Sequence, residues 1–339
     1  MIDSYFLFII GFIVVFLIIS DFFYTTLSFN GAGYINRKLA TAISSVFLFI
    51  RKHTKNRKIF KFSGLSQILL SIISWIGLLL LGFFLILLSS HSSVLYSTSR
   101  LPAGVINKLY FGSSVIASLG TGEFIPGDEL WQLITLFFLL TGFIFITTAV
   151  SYLLNLNSAV IHKRSLALSI SNIGETPEEI IDNTYSEGSF QALVRDASGL
   201  MSNMNKQKQN HYAYPISHFF FSTTREESFP VNLANLSEAL TLIKYNIDTK
   251  QGVKKNLRPL NESIDTFIEM AAQSFTVKTK EYGTVSLNEE RLKKHGIHLI
   301  EASFDDKEKK AVERTRATLS NLLISSGWSW QDLYNKDSN

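Results

Sequence analysis

The sequence predicts an all-α membrane protein with three transmembrane helices, a short helix that re-enters the membrane, and a helical domain outside it. Three observations support this fold class. Lys, Arg, Asp and Glu are absent from residues 62–99 and 130–161, and Asp21 is the one such residue within 4–36. A glycine-containing segment lies between the second and third of these runs. After about residue 158 the composition changes to that of a soluble domain.

Each uncharged run is long enough to cross a bilayer. A hydrocarbon core of about 30 Å requires roughly 20 apolar residues in a helix, so we predict spans near residues 4–27, 66–88 and 130–153. The first run follows Asp3 instead of a basic segment, and no small-residue cleavage site comes after it. It is therefore interpreted as a retained transmembrane helix and not as a secretory signal.

The basic residues predict the orientation of these spans. Eight of them lie between the first two spans: Arg37, Lys38, Arg51, Lys52, Lys55, Arg57, Lys58 and Lys61. Clusters of this kind close to helix ends stay in the cytoplasm. His162, Lys163 and Arg164 follow the third span in the same way. We expect a multi-pass protein of the cell membrane, of the bacterial inner-membrane type, with the N-terminus outside and the C-terminal half in the cytoplasm.

Four regions follow from this topology. They are an N-terminal transmembrane helix (1–33), a basic cytoplasmic linker (34–65), a central membrane domain (66–157) and a helical cytoplasmic domain (158–339). Within the linker, apolar residues recur at helical spacing: Leu39, Ile43, Phe47 and Ile50. This pattern is typical of an amphipathic helix that lies on the inner surface of the membrane.

The chemistry of the central domain is concentrated in residues 107–123. Residues 107–118 predict a helix of about three turns, and Ser118-Leu119-Gly120-Thr121-Gly122 follows it. Glycine adopts backbone angles that other residues rarely reach, so alternating glycines can turn carbonyl oxygens toward one side. Rings of such oxygens can replace the hydration shell of a cation. Glu123 would add a ring of carboxylates at the outer mouth.

This arrangement resembles the pore domain of the tetrameric potassium channels. Residues 118–123 match the Thr-Val-Gly-Tyr-Gly-Asp signature of that family position by position, and the resemblance covers about residues 66–155. It implies a homotetramer embedded in the lipid bilayer, with potassium ions held at Ser118, Leu119, Gly120 and Thr121. It also implies that Gly142 is the hinge of the inner helix. With its additional N-terminal helix, the chain is similar to a bacterial branch of the two-helix-plus-pore-loop channels.

Thr121 stands where that family has Tyr or Phe, and Ser118 stands in place of Thr. The missing ring removes packing behind the carbonyls, which leaves potassium selectivity open. We therefore expect a cation channel that conducts potassium, with a nonselective or sodium-permeable channel as the alternative. A potassium transporter subunit and a non-conducting membrane scaffold with a vestigial pore are further classes.

Polar residues on the third span predict a water-filled vestibule. Thr148, Ser151 and Asn155 share one helical face, and we expect them to line the inner part of the pore. The alternative for the threonines is that their hydroxyl groups bond back to carbonyls of their own helix. Asp21 is interpreted as a residue at the headgroup level where the first helix leaves the membrane, with a gating or sensing role as the alternative.

The C-terminal half predicts about seven helices and no enzyme chemistry. Thr176-Pro177-Glu178-Glu179 is a typical helix start, Ser286 and Ser303 begin two further predicted helices, and Gly327 ends the last. Pro215, Pro230 and Pro259 are expected to separate helices, and alternation within 275–285 is strand-like.

The same half supplies no motif for a cofactor or for nucleic acid. Nucleotide-binding loops are missing from its sequence, there is no cysteine, and its acidic and basic residues balance. We interpret His295 and His298 as surface residues and not as metal ligands. His211 and His218 flank an aromatic cluster, predicted to be core or a subunit contact, with pH sensing by the histidines as an alternative.

Overall fold

The computed structural model describes residues 2–28, 31–54, 57–250, 252–274, 292–293, 295–300 and 304–334. Within these ranges the chain is mostly helical, and it divides into two compact units. The first unit comprises Met1–Ala42 and Leu65–Asn157, and the second comprises Ile43–Gly64 and Ser158–Asn339.

Three helices are long and apolar enough to cross a membrane. They are α1 (Tyr5–Leu27), α3 (Ser63–Leu88, preceded directly by a 3-10 turn at Arg57–Phe62) and α5 (Glu129–Ser171). This confirms the predicted all-α membrane architecture at the level of its spans. The helix α5 has 43 residues, about twice the number that a bilayer requires. The predicted boundary at residue 157 therefore lies within a continuous helix.

The helix α2 (Tyr34–Thr54) follows α1 and is amphipathic, as its sequence pattern predicts. Ile43 on its predicted apolar face is buried, whereas Val46 and Phe49 on another face are exposed. Protein therefore covers the predicted apolar face of α2 at Ile43. The apolar residues that stay exposed lie on the face with Val46 and Phe49.

A short helix and a hairpin lie between α3 and α5. The helix α4 (Val105–Ile116) begins and ends two residues before the predicted bounds. It is flanked by β1 (Val94–Tyr96) and β2 (Phe124–Pro126), which pair antiparallel with Val94 opposite Pro126. The sequence did not predict this hairpin, because strands of three residues carry almost no alternation. Its main-chain bonds join the two ends of the segment that contains α4.

The second unit is a helical assembly around one buried helix. Its elements are α6 (Pro177–Thr184), α7 (Gln191–Ala213), a 3-10 helix (Pro215–Phe219), α8 (Phe229–Tyr245), α9 (Val253–Ser274), α10 (Asp306–Ser325) and a 3-10 helix (Trp330–Leu333). Thirteen of the 17 residues of α8 are buried. A helix that is covered on all sides forms the centre of a core.

Local signals place several of these ends. Thr176 caps α6 by accepting a hydrogen bond from the Glu179 amide at 3.1 Å, and Gly327 follows α10 with φ of 74°, as predicted. Pro259 was expected to separate helices, but it lies inside α9. Leu257, Leu260 and other apolar residues of α9 are buried in the core, and this packing outweighs the lost hydrogen bond. The predicted starts at Ser286 and Ser303 and the strand-like 275–285 lie outside the described residues.

Glu238 of α8 forms a buried ion pair with Arg316 of α10. The guanidinium donates from Nε and Nη2 to the two carboxylate oxygens at 2.9 and 2.8 Å. The Glu238 side chain is 1% exposed and that of Arg316 is 20% exposed. An exposed pair, Arg258 and Glu262, lies on α9 and offers a matched comparison.

We predict that Arg316→Met lowers the free energy of unfolding by about 3 kcal/mol, because it leaves a buried carboxylate without its partner. Arg258→Met should change it by less than about 1 kcal/mol, since solvent already screens that pair. Urea titration of the full-length protein in detergent measures both values. Equal effects of the two substitutions would contradict a structural role for the buried pair.

Candidate functional site

The short helix α4 is held at its N-terminal half by a buried lysine. Lys108 is 5% exposed, and its Nζ donates to the carbonyl oxygens of Leu87 at 3.2 Å and Ser90 at 2.5 Å. These carbonyls lie at the C-terminal end of α3, where a helix has acceptors without a partner and a negative dipole end. Lys108 therefore fixes α4 to the end of α3.

The C-terminal end of α4 is held by close packing against α5. A Cβ atom on Gly142 would overlap the carbonyl oxygen of Ile116, the last residue of α4. Phe83 of α3 stacks on Phe138 of α5 with ring centroids 3.9 Å apart. Position 142 therefore requires glycine, because a side chain there would collide with the backbone of α4. The helix α5 is continuous through Gly142 and shows one conformation there. The hinge role of this residue therefore stays a prediction.

The segment 118–122 has an alternating backbone. Ser118, Gly120 and Gly122 have positive φ values of 56°, 84° and 55°, whereas Leu119 and Thr121 do not. The amides of Ser118 and Leu119 still bond to the end of α4, at 3.0 Å from the oxygens of Val115 and Ser114. Ser118 thus lies two residues beyond the end of the helix, and is not its last residue as the sequence suggested.

The carbonyl oxygens of this segment are largely unused. Within the described ranges, no hydrogen bond reaches those of Ser118, Leu119, Gly120 or Gly122, and the Thr121 oxygen accepts from the Phe124 amide at 3.1 Å. Alternation of the sign of φ turns successive peptide groups the same way, whereas an ordinary strand alternates them. This alternation is the pattern that a row of carbonyl oxygens on one side of the chain requires.

The side chains here are open in the single chain. Leu119 is 81% exposed, Glu123 is exposed, and Thr121 is partly buried. The carbonyl of Glu123 accepts from the Ser97 amide at 2.7 Å, just beyond β1. Beside the start of the segment, an apolar cavity of about 250 Å³ lies among α3, α4 and α5, and its lining includes Leu79, Ala117 and Phe145.

The predicted vestibule residues lie farther along α5. Ser151 and Asn155 are exposed and Thr148 is partly buried. The Ser151 hydroxyl donates to the Thr147 carbonyl of its own helix at 3.2 Å, and the role of these residues in a vestibule stays a prediction. In the described part of the chain, no hydrogen bond or ring contact joins these three residues to 118–123. The structure brings Gly142 to the end of α4 and leaves the vestibule residues apart.

Asp21 is a buried carboxylate near the C-terminal end of α1, and its expected position at the headgroup level stays a prediction. It is 6% exposed, and its carboxylate accepts from the Ile35 amide at 2.7 Å and from Trp75 Nε1 at 3.3 Å. The Thr25 hydroxyl accepts from the Gly33 amide at 2.9 Å. Asp21 and Thr25 of α1 thus supply acceptors to amides around the start of α2, as a side-chain cap does within one helix.

Sequence reasoning missed the roles of Lys108 and Asp21. Each is the single charged residue of an apolar stretch. This isolation was the sequence feature that could have indicated a buried, hydrogen-bonded role. A charged group in an apolar environment is stable when it finds fixed hydrogen-bond partners. The partners here are main-chain atoms and the Trp75 indole, all distant in sequence, so the sequence alone could not identify them.

Comparison with known proteins gives one informative similarity. The chain is 28% identical over 313 residues to the uncharacterized membrane protein YdjJ of Bacillus subtilis (strain 168), and the alignment covers 91% of each chain. No known protein family matches the sequence, and no solved structure matches the fold. Together with the three apolar helices, this similarity identifies the chain as a membrane protein.

Proposed function

We propose that four copies of this chain form a cation channel that conducts potassium through residues 118–122. The observation that carries the proposal is the backbone of this segment, which has alternating φ and carbonyl oxygens of which only that of Thr121 has a hydrogen-bond partner in the described chain. Carbonyl oxygens in rows are the ligands that replace the hydration shell of potassium. The C-terminal end of α4 adds a partial negative charge beside the row.

One copy supplies a single wall of such a site. A cation that has lost its water needs oxygens on all sides, which one row cannot provide, and fourfold repetition around an axis completes the ring. Within membrane depth, non-helical backbone must also be covered by protein or water. The 81% exposure of Leu119 in the single chain supports a position that neighbouring copies would cover.

The remaining predicted residues take positions along this path. Ions would meet Glu123 at the outer mouth, then the oxygens of Thr121, Gly120, Leu119 and Ser118. The Thr121 carbonyl can still bind an ion, because an oxygen that accepts one hydrogen bond keeps a second lone pair. Inside, Thr148, Ser151 and Asn155 would line the vestibule, with the C-terminal half in the cytoplasm.

A nonselective channel is a second candidate, and a specific observation favours it. Thr121 replaces a ring that would brace the segment, and an apolar cavity of about 250 Å³ opens next to Ala117 at the start of the segment. A carbonyl ring that is held loosely can adapt its width to other cations. Permeability ratios distinguish this candidate from a potassium channel.

We predict that Gly120→Ala abolishes potassium flux into liposomes while the oligomer stays intact. Nothing lies within 4 Å of a Cβ at this position, so the substitution acts through its φ of 84°, which Ala adopts poorly. The matched control is Gly77→Ala in α3, where a Cβ also meets nothing within 4 Å and φ is helical. Flux that survives in Gly120→Ala would contradict the site, and no flux in the parent would favour a scaffold.

We predict that Thr121→Tyr raises the permeability ratio of potassium over sodium, because the ring adds packing behind the carbonyls. Reversal potentials in mixed potassium and sodium solutions measure this ratio. Thr121→Ser, which adds no bulk, should leave it near the parent value. Identical ratios in the Tyr variant and the parent would refute the packing argument.

We predict that Gly142→Ala reduces flux at least tenfold, because the methyl group pushes α5 away from the end of α4 and displaces residues 118–122. The control is again Gly77→Ala, a glycine of a neighbouring helix with no close contact. Liposome flux at equal protein density gives the comparison. Parent-like flux would show that the contact does not position the segment.

A further inference from the structure

A small buried cavity in the second unit is lined by three basic groups. It has a volume of about 20 Å³, which is enough for a water molecule. Its titratable residues are Lys163 of α5, His211 of α7 and His218 of the 3-10 helix Pro215–Phe219. The segments that contribute from α8, α9 and α10 supply Ser, Pro, Leu and Phe side chains. No carboxylate is among its lining residues.

Lys163 joins the end of α5 to the 3-10 helix. It is 7% exposed, and its Nζ donates to the carbonyl oxygens of Ser217 at 2.6 Å and Phe220 at 2.9 Å. Arg164 is the other charged group that acts on it, with the same sign. The ammonium is therefore balanced by main-chain dipoles and not by an acid, a balance that further positive charge disturbs.

His211 lines the same cavity as the Lys163 ammonium, and one of its ring nitrogens has no hydrogen-bond partner in the described chain. It is 5% exposed, and its Nε2 is buried without a hydrogen-bond partner in the described chain, as is Oε1 of Gln207. Its ring lies 6.2 Å from that of His218 and 5.8 Å from that of Phe267. These surroundings favour a neutral imidazole, because the cavity lining offers the uncharged amide oxygen of Gln207 and no carboxylate to offset a positive charge.

His218 is the second imidazole of the cluster. It is partly exposed, and its Nε2 lies 3.1 Å from the hydroxyl of Ser325 on α10. Burial lowers the pKa of His211 from 6.5 to about 4, and the charge of Lys163 contributes in the same direction. Burial, His211 and Lys163 lower the pKa of His218 as well.

We propose that Lys163, His211 and His218 form a proton-binding site that releases the end of α5 from the 3-10 helix when a histidine is protonated. An imidazolium would place a second positive charge against the buried ammonium, with no acid in the cavity to offset it. Separation of α5 from Ser217 and Phe220 admits water and relieves this repulsion. The proposed proton-binding site does not depend on which ion, if any, the membrane domain conducts.

The sign and size of the effect follow from proton linkage. In the released state His211 regains its ordinary pKa of 6.5, whereas in the docked state it is about 4. The contribution of His211 to the docked contact is therefore complete above pH 6.5 and is lost as the pH falls toward 4. At pH 5 this contribution favours the released state by about 30-fold relative to pH 7.5.

Hydrogen–deuterium exchange of the full-length protein in detergent tests the proposal. Peptides that cover residues 159–171 and 215–222 should lose protection by about 30-fold from pH 7.5 to pH 5, after correction for the intrinsic exchange rate. His211→Gln should reduce this loss to a few-fold, and His218→Gln should reduce it in part. His298→Gln, which changes an exposed histidine, should leave the full loss.

Lys163→Met provides a second variant if a histidine variant fails to fold. Without the ammonium, the pH dependence of protection at 215–222 should shrink, since protonation no longer meets a like charge. Protection that is independent of pH in the parent would overturn the proposal. An unchanged pH dependence in the variant lacking both histidines would overturn it as well.

Discussion

The approach of α5 to the end of α4 is the constraint on which the candidate site depends. Gly142 lets the backbone of α5 reach the Ile116 carbonyl, and Lys108 ties the other half of α4 to the carbonyls of Leu87 and Ser90. With both halves held, the position of residues 118–122 is determined by the helices around them. A segment of five residues with alternating φ has no regular hydrogen bonds of its own and depends on this support.

Buried polar side chains of the first unit bond to main-chain atoms and to one another. Asp21 accepts from the amide of Ile35, and Gln67 donates to the Ala40 carbonyl at 2.9 Å. Ser71 donates to Asn36 at 2.7 Å. Helix ends leave amides and carbonyls without partners, and a hydrocarbon environment offers none. Polar side chains on the apolar helices supply the missing hydrogen-bond partners. This explains why a few polar residues occur in spans that are otherwise apolar.

The second unit uses the same principle around its buried core. Arg225 donates to the carbonyl oxygens of Glu175 at 2.6 Å and Leu333 at 2.7 Å, and so ties three distant segments together. Arg57 donates to the Gly327 carbonyl at 2.7 Å, and its guanidinium stacks on Trp328. These cations balance carbonyl dipoles, as Lys163 does. Such contacts are stable in one geometry and sensitive to added charge, and the proton-binding site that we propose at the histidine cluster depends on this sensitivity.

The sequence by itself determined the three spans, the short helix before the glycines, and helix ends such as Thr176 and Gly327. Each is a local property, set by the length of an apolar run, by capping or by the backbone freedom of glycine. Tertiary structure decided the partners of Asp21, Lys108 and Gly142, the continuation of α5 through residue 157, the three-residue hairpin and the survival of α9 across Pro259. These depend on atoms distant along the chain, and packing free energy outweighs local preference there.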